Sequence, residues 1–201
     1  MLSLLLAFLF DGCYRQNWEK STTGIIISLK GKTGHDTRRL KVEVFSENIM
    51  HVVASPEKGF SKEESLIVIA APRSVPSFDV KEWKDSLVVS TSEIKAAVSL
   101  LTGQVIFYDK DYKRILTEPD GGGRSFSPFS VEGTDGYSMR QVFESPVDEA
   151  FYGLGQHQSD EFNYKGLNES LYQYNTKVSV PFIVSDKNYG LHVLYLLSIK
   201  Q

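Results

Sequence analysis

Apolar and polar residues alternate with a period of two along much of this chain. Leu40, Val42 and Val44 are separated by Lys41 and Glu43, the pattern of a strand with one buried and one wet face. Ile94, Ala96, Val98 and Leu100 repeat it and share one face over residues 94–101. Residues 178–184 (VSVPFIV) also alternate like a strand. Shorter runs predict further strands at 25–29, 49–54, 66–70, 87–91, 104–108, 114–117 and 137–144. Turn chemistry separates them: Lys30-Gly31-Lys32-Thr33-Gly34, a polar connection over 55–64 with Pro56 and Gly59, a loop bracketed by Pro72 and Pro76, Thr102-Gly103, and Asp109-Lys110-Asp111-Tyr112. Gly121-Gly122-Gly123 with Ser125, Ser127 and Pro128 predicts a flexible loop. No segment holds a 3.6-residue period convincingly, and no internal repeat is visible. The spacing predicts an all-β chain, a mostly antiparallel β-sandwich with almost no helix.

The ends read differently. Residues 1–10, MLSLLLAFLF, are too few to span a bilayer and match the apolar region of a secretory signal. Gly12-Cys13 follows, as at the end of a bacterial lipoprotein signal. Cys13 is therefore the lipidation candidate. The expected location is exported, periplasmic or outer-membrane, with anchoring to the membrane through that cysteine. No Lys or Arg precedes the run, and Asp11 stands where a small or apolar residue is usual, so a frayed apolar terminus is the alternative. Residues 1–13 are the signal-like segment, and the polar residues 14–24 read as a tether.

Composition narrows the function classes. At 201 residues the chain suits one all-β domain plus short ends. Hydrophobic content of 41% and aromatic content of 12% supply a core and speak against disorder. The net charge is −3 with no basic stripe, so no nucleic-acid partner is expected. A single cysteine allows no internal disulfide. The four histidines (35, 51, 157 and 192) are scattered and show no zinc spacing, and no cofactor is expected.

The richest chemistry lies in residues 151–185, FYGLGQHQSDEFNYKGLNESLYQYNTKVSVPFIVS. A strand runs into a loop bent at Gly153 and Gly155, where a positive φ or a close backbone approach is available. Gln156, His157, Gln158, Asn163, Tyr164, Tyr172, Gln173, Tyr174 and Asn175 follow. Flat rings interleaved with amides suit a sugar, which offers apolar C–H faces and hydroxyl edges. A tyrosine-rich loop packed on a sheet has the same composition. His157 reads either as a general base or as a hydrogen-bonding partner of a neighbouring loop.

Glycoside hydrolysis needs two carboxyl groups flanking the bond. The candidate pairs are Asp148/Glu149 and Asp160/Glu161. Neighbours on a strand point to opposite faces, so neither pair is well posed, although Asp160 and Glu161 can approach a ligand from a loop. No Gly-x-Ser-x-Gly elbow is present, and no lysine and helix start follow the glycine run as a phosphate loop requires. Asn168-Glu169-Ser170 is a formal glycosylation sequon, without meaning in a bacterial lipoprotein.

The ordered segments FYGLGQHQ, FNYKG and LYQYNTKVSVPFIVSDKNYG resemble glycoside hydrolase family 31, in the part ahead of its catalytic barrel. The look is nearest to bacterial α-xylosidase-like members, with α-glucosidases next. FDVKEWKDSLVVSTSEIKAAVSLLTGQVIFYDKDYKRILTE is similar to the family's amino-terminal, galactose-mutarotase-like β-sandwich. The resemblance covers roughly residues 25–190. It implies the amino-terminal domain of a retaining α-glycosidase acting on α-xylosides or α-glucosides. The family's catalytic aspartates lie on a (β/α)₈ barrel, which needs about 250 residues. No Trp-x-Asp-Met-Asn-type nucleophile motif occurs, so no catalytic residue carries over.

The family's sandwich packs beside the barrel and lends a loop to the active-site rim. The matching loops are 155–166 and 173–176, which makes Gln156, His157, Tyr164 and Asn175 the rim candidates. Residues 191–201 depart from the family pattern, and a truncated or frame-shifted product is expected, with a dedicated short homologue as the alternative. Residues 193–197 are apolar, uncharged and free of proline, as an aggregation-prone strand would be. Two other functions compete: a stand-alone carbohydrate-binding or scaffolding sandwich, and an aldose epimerase. The epimerase ranks last, since its base and acid need a clustered cleft that these histidines do not suggest. The chain by itself is not expected to hydrolyse glycosides.

Overall fold

A computed structural model describes residues 17–31, 36–61, 74–158 and 161–194, and all regular structure among them is β-strand. The first sheet is β1 (Trp18–Lys20), β2 (Gly24–Ser28), β3 (Arg39–Ser46) and β4 (Ile49–Ser55), in that order and antiparallel. The second is an antiparallel meander of β5 (Asp79–Trp83), β6 (Ser86–Ser90), β7 (Ile94–Ser99), β8 (Val105–Asp109) and β9 (Arg114–Thr117).

The period-two pattern decides which faces meet. Ile25 and Ile27 from β2, and Leu40, Val42 and Val44 from β3, are completely buried. Leu87, Val89, Ala96, Val98 and Val105 of the second sheet close the same cluster. Two sheets thus pack face to face, and burying each large aliphatic side chain contributes about 1.5–3 kcal/mol. Polar bonds fasten the sheet margins. Asn17 Nδ2 donates to the carbonyls of Ser28 and Leu100, both at 3.2 Å, and Trp18 Nε1 donates to Glu82 Oε2 at 3.1 Å.

Two smaller units follow. β10 (Arg124–Val131) and β11 (Thr134–Gln141) form a hairpin turned at Glu132 and Gly133, with φ of 50° and 80°. Two left-handed residues match the twist of a two-residue hairpin. β12 (Phe151–Gln156), β13 (Val178–Ser185) and β14 (Tyr189–His192) form a third antiparallel sheet with β13 at its centre.

The all-β antiparallel expectation is met. Several local expectations are not. Residues 124–128 form the start of β10 rather than a flexible loop: Phe126 is buried, and Pro128 stands opposite Tyr137. A two-stranded ribbon leaves each strand an open edge, where a residue without an N–H is tolerated. The stretch read as a tether contains β1, because Trp18 packs against the core beside β2. β5 lies where no strand was expected, since Lys81, Glu82 and Trp83 are exposed and only Val80 packs inward. β14 also takes in residues 191 and 192, which says nothing against their departure from the family's sequence pattern: Leu191 pairs with Ile183, His192 pairs with Phe182, and Val193 N donates to Pro181 O at 3.0 Å. Cys13 with the signal-like segment, the expected strand 66–70, Asp160 and residues 195–197 lie outside the described residues.

Candidate functional site

The site is built on a kink in β12. Gly153, Leu154 and Gly155 have φ of 115°, 64° and 99°, and the pairing with β13 shifts register there. A Cβ on Gly153 would lie 2.5 Å from the Phe182 carbonyl oxygen, and one on Gly155 would lie 2.0 Å from that of Val178. Only glycine fits two such approaches in the left-handed region. Leu154 between them carries the strain of a branched side chain in that region.

The kink presents the Leu154 carbonyl to His157, whose Nε2 lies 2.7 Å from it. A carbonyl oxygen only accepts, so Nε2 carries a proton. At the other side of the ring, Nδ1 is 3.2 Å from Glu169 Oε1. That approach is off the line of a hydrogen bond, and Nδ1 has no hydrogen-bond partner among the described residues. The His157 side chain is only 1% exposed. Tyr164 packs edge-on against its ring at 6.5 Å between centroids.

Further bonds hold the intervening loop to the sheet. Tyr164 N donates to Phe151 O at 2.8 Å. Asn163 Oδ1 accepts from Phe151 N and Lys165 N, both at 3.0 Å. Lys165 Nζ donates to Ser145 Oγ and Pro146 O and lies over the Phe151 ring. Gln158 Nε2 donates to Thr176 Oγ1 at 2.9 Å, tying the start of the loop to its return. The return is a tight turn with Asn175 at φ 53°, closed by Lys177 N donating to Tyr174 O at 2.9 Å.

Of the four rim candidates, His157 and Tyr164 pack against each other, the His157 side chain buried and Tyr164 half-buried. Gln156 pairs with Val178 at the end of β12, and Asn175 occupies the turn; both are exposed. The Gln158–Thr176 bond links these two exposed positions through their neighbours. Sequence reasoning missed Glu169, which stood out only as the middle of a sequon, and the Gln158–Thr176 tie. Neither partner's distance along the chain carries a signal.

Among the described residues, Asp148 and Glu149 do not assemble a hydrolytic pair; Asp160, of the other candidate pair, lies outside them. Asp148 points to the surface, where Lys187 Nζ at 2.8 Å holds its carboxyl below the usual range. Glu149 turns inward, is buried, and accepts from Ser185 Oγ. Burial, together with the neighbouring Glu149 carboxylate, pushes the Tyr189 hydroxyl well up, so it stays protonated and bonds to Glu149. Adjacent residues thus face opposite ways, but from the turn ahead of β12 and not from a strand, so strand alternation is not the cause. Among the described residues no group of three His, Cys, Asp or Glu side chains could hold a metal.

A second polar centre lies beneath the glycine run. Arg124 Nη1 is 2.8 Å from Glu118 Oε1, and Nη2 is 2.9 Å from Oε2. Val105 N and Gln141 Nε2 also donate to this carboxylate, each at 2.9 Å, and Arg124 Nη2 reaches Gly103 O at 2.5 Å. Burial pushes the Glu118 carboxyl up and the Arg124 guanidinium down, and each is countered by the other's charge. With these bonds already made, the pair fastens the hairpin to the second sheet.

Comparison with known proteins agrees with this architecture. The model of the glycosyl hydrolase 31 N-terminal galactose mutarotase-like domain matches residues 39–196. An α-xylosidase of Saccharolobus solfataricus is 29% identical over 162 residues, which cover 76% of this chain and 21% of that protein. The crystal structure of the GH31 α-xylosidase from Xanthomonas citri superposes with a TM-score of 0.76 at 37% identity, over 86% of this chain and 18% of that one. A GH31 α-xylosidase from a soil metagenome, solved with xylose, gives 0.69 at 26% identity, over 86% and 27%. The chain therefore spans about a fifth to a quarter of the length of these relatives. It belongs to glycoside hydrolase family 31, as the family's amino-terminal galactose-mutarotase-like domain.

Proposed function

We propose that this chain serves as the amino-terminal domain of a retaining α-glycosidase of the α-xylosidase type, supporting a catalytic barrel and lending a loop to the rim of its sugar site. The observation that carries the reading is the loop between β12 and β13. It is fixed at its root by His157, Tyr164 and Asn163, yet it leaves Gln156 and Asn175 exposed at its ends. An amide side chain offers both donor and acceptor, which suits a sugar hydroxyl. His157 and Tyr164 act in this reading by positioning the loop. The α-xylosidase preference rests on relatives bearing that name.

Hydrolysis is assigned to the barrel. A retaining enzyme holds two carboxyl groups about 5 Å apart across the bond, and Asp148 and Glu149 diverge. The purified chain, incubated with aryl α-xyloside and aryl α-glucoside, should release no phenol above background. Release that disappears in Asp160→Asn or Glu161→Gln would refute this assignment. An enzyme that carries this domain ahead of its barrel should cleave the xyloside faster than the glucoside. The reading also includes export and anchoring through a lipid on Cys13, detectable as a mass increase on that residue in membrane fractions.

A further inference from the structure

β13 is the central strand of its sheet, yet it turns an apolar face to water. Val178, Val180, Phe182 and Val184 are 48, 41, 39 and 42% exposed. They alternate with Ser179, Pro181 and Ile183, so they share one face. Cross-strand neighbours widen it. Tyr152 stands opposite Val184 and meets the ring of Phe162 at 5.2 Å, and Phe162 is itself 82% exposed. His192 stands opposite Phe182 and packs edge-on against it at 5.9 Å.

No Asp, Glu, Lys or Arg lies among these face residues. A contiguous apolar face of this kind marks an interaction surface. Depletion of charge and enrichment in aromatics are what the centre of an interface requires. The core cluster of the sandwich contains no residue of β12, β13 or β14, so the first two sheets do not cover this face.

The relatives indicate what does. The domain accounts for only 18 to 27% of the two solved α-xylosidases it matches, so most of each relative is further chain. β14, the last described strand, is hydrogen-bonded alongside β13 and carries His192 onto the same face.

We propose that Val178, Val180, Phe182 and Val184, with Tyr152 and Phe162, form the surface on which the catalytic remainder of a family 31 glycosidase docks through an uncharged, apolar patch. This rests on the function proposed above and adds the face that makes the contact.

The test is co-expression of the tagged 201-residue chain with the part of the Xanthomonas citri α-xylosidase that follows its matching domain, read by co-purification and size-exclusion chromatography. The unaltered chain and the control Ile49→Glu, changed at an exposed position on β4, should carry the remainder as a one-to-one complex. Val180→Glu and Phe182→Glu should reduce its recovery at least tenfold while leaving the melting temperature of the chain unchanged. Should Phe182→Glu melt early, Val178→Lys at the end of the strand provides the same readout. Recovery unaffected by these changes overturns the docking face and leaves the proposed function standing. Failure of the unaltered chain to carry the remainder overturns both. A homodimer that the same substitutions break, with no remainder carried, makes a second copy the occupant and also overturns the proposal.

Discussion

Nδ1 of His157 stands 3.2 Å from Oε1 of Glu169, while Nε2 of the same ring is committed to the Leu154 carbonyl at 2.7 Å. One imidazole thus joins three elements: the kinked strand it follows, the loop residue Glu169, and Tyr164, which packs on its face. The ring sits at the root of the loop and not at its exposed margin. Its position explains how Tyr164 and Glu169 are held close to the kinked strand.

Replacing His157 with Ala should loosen that hold. The Leu154 carbonyl loses its donor and Glu169 loses its neighbour, at a cost of about 1–2 kcal/mol. The local readout is amide hydrogen exchange. Tyr164 N, bonded to Phe151 O, and Leu167 N, bonded to Tyr164 O, should exchange faster, while the amides of β2 and β3 stay protected. Uniform acceleration across the chain would mean that the ring supports the whole fold rather than the loop.

Two glycines separate backbone strain from crowding. Gly155 and Gly166 are both left-handed, at φ of 99° and 74°. A Cβ on Gly166 meets open space, whereas one on Gly155 would strike the Val178 carbonyl oxygen. Gly166→Ala should cost about 1 kcal/mol. Gly155→Ala should cost about 3 kcal/mol or unfold the β12–β13 pairing. Equal losses in denaturant titrations would refute the role given to the close approach.

Glu43 predicts an acid-sensitive contribution to stability. Its carboxylate bonds to His51 Nδ1 at 3.3 Å and Lys41 Nζ at 3.1 Å, and its pKa is lowered from the ordinary 4.5 to about 2, chiefly by the His51 bond and against the effect of burial. A depressed folded-state pKa stabilises above the unfolded value, and that stabilisation is lost as pH falls through the folded value. Stability should therefore decline between about pH 4.5 and pH 2, by about 1 kcal/mol from this group after solvent screening. Glu43→Gln should flatten that part of the melting-temperature profile. An unchanged slope would remove Glu43 as its source.

The strands that build the core were legible because their faces differ. Leu40, Val42 and Val44 alternate with polar residues, and burial follows that alternation. β5 and β10 were not legible for the converse reason: each buries a single side chain or packs one inward, Val80 and Phe126, and most of their other residues are polar. Gly153 and Gly155 announced the kink, since only a backbone need explains two glycines spaced within a strand-like run. The His157–Glu169 approach was not legible. It depends on the path of an irregular loop, and no periodicity reports such a path.

The pair formed by Glu118 and Arg124 shows how the hairpin is held, and its removal can be predicted in sign and size. Both side chains are almost wholly buried, and the carboxylate accepts from Arg124, Val105 and Gln141. Arg124 Nε, by contrast, is buried without a partner among the described residues, so the cation is incompletely satisfied by them. Arg124→Met leaves the Glu118 charge buried and unpaired, and Glu118→Gln leaves the guanidinium so. Either should cost about 3–5 kcal/mol. Replacing both together with apolar residues removes the charge burial itself, and should cost less than the sum of the single changes and restore part of the loss. Urea titrations followed by the fluorescence of Trp18 and Trp83 measure all four proteins under one probe. Additive losses would mean that the two side chains act independently, in which case the short Glu118–Arg124 approach is not what fastens β10 to the second sheet.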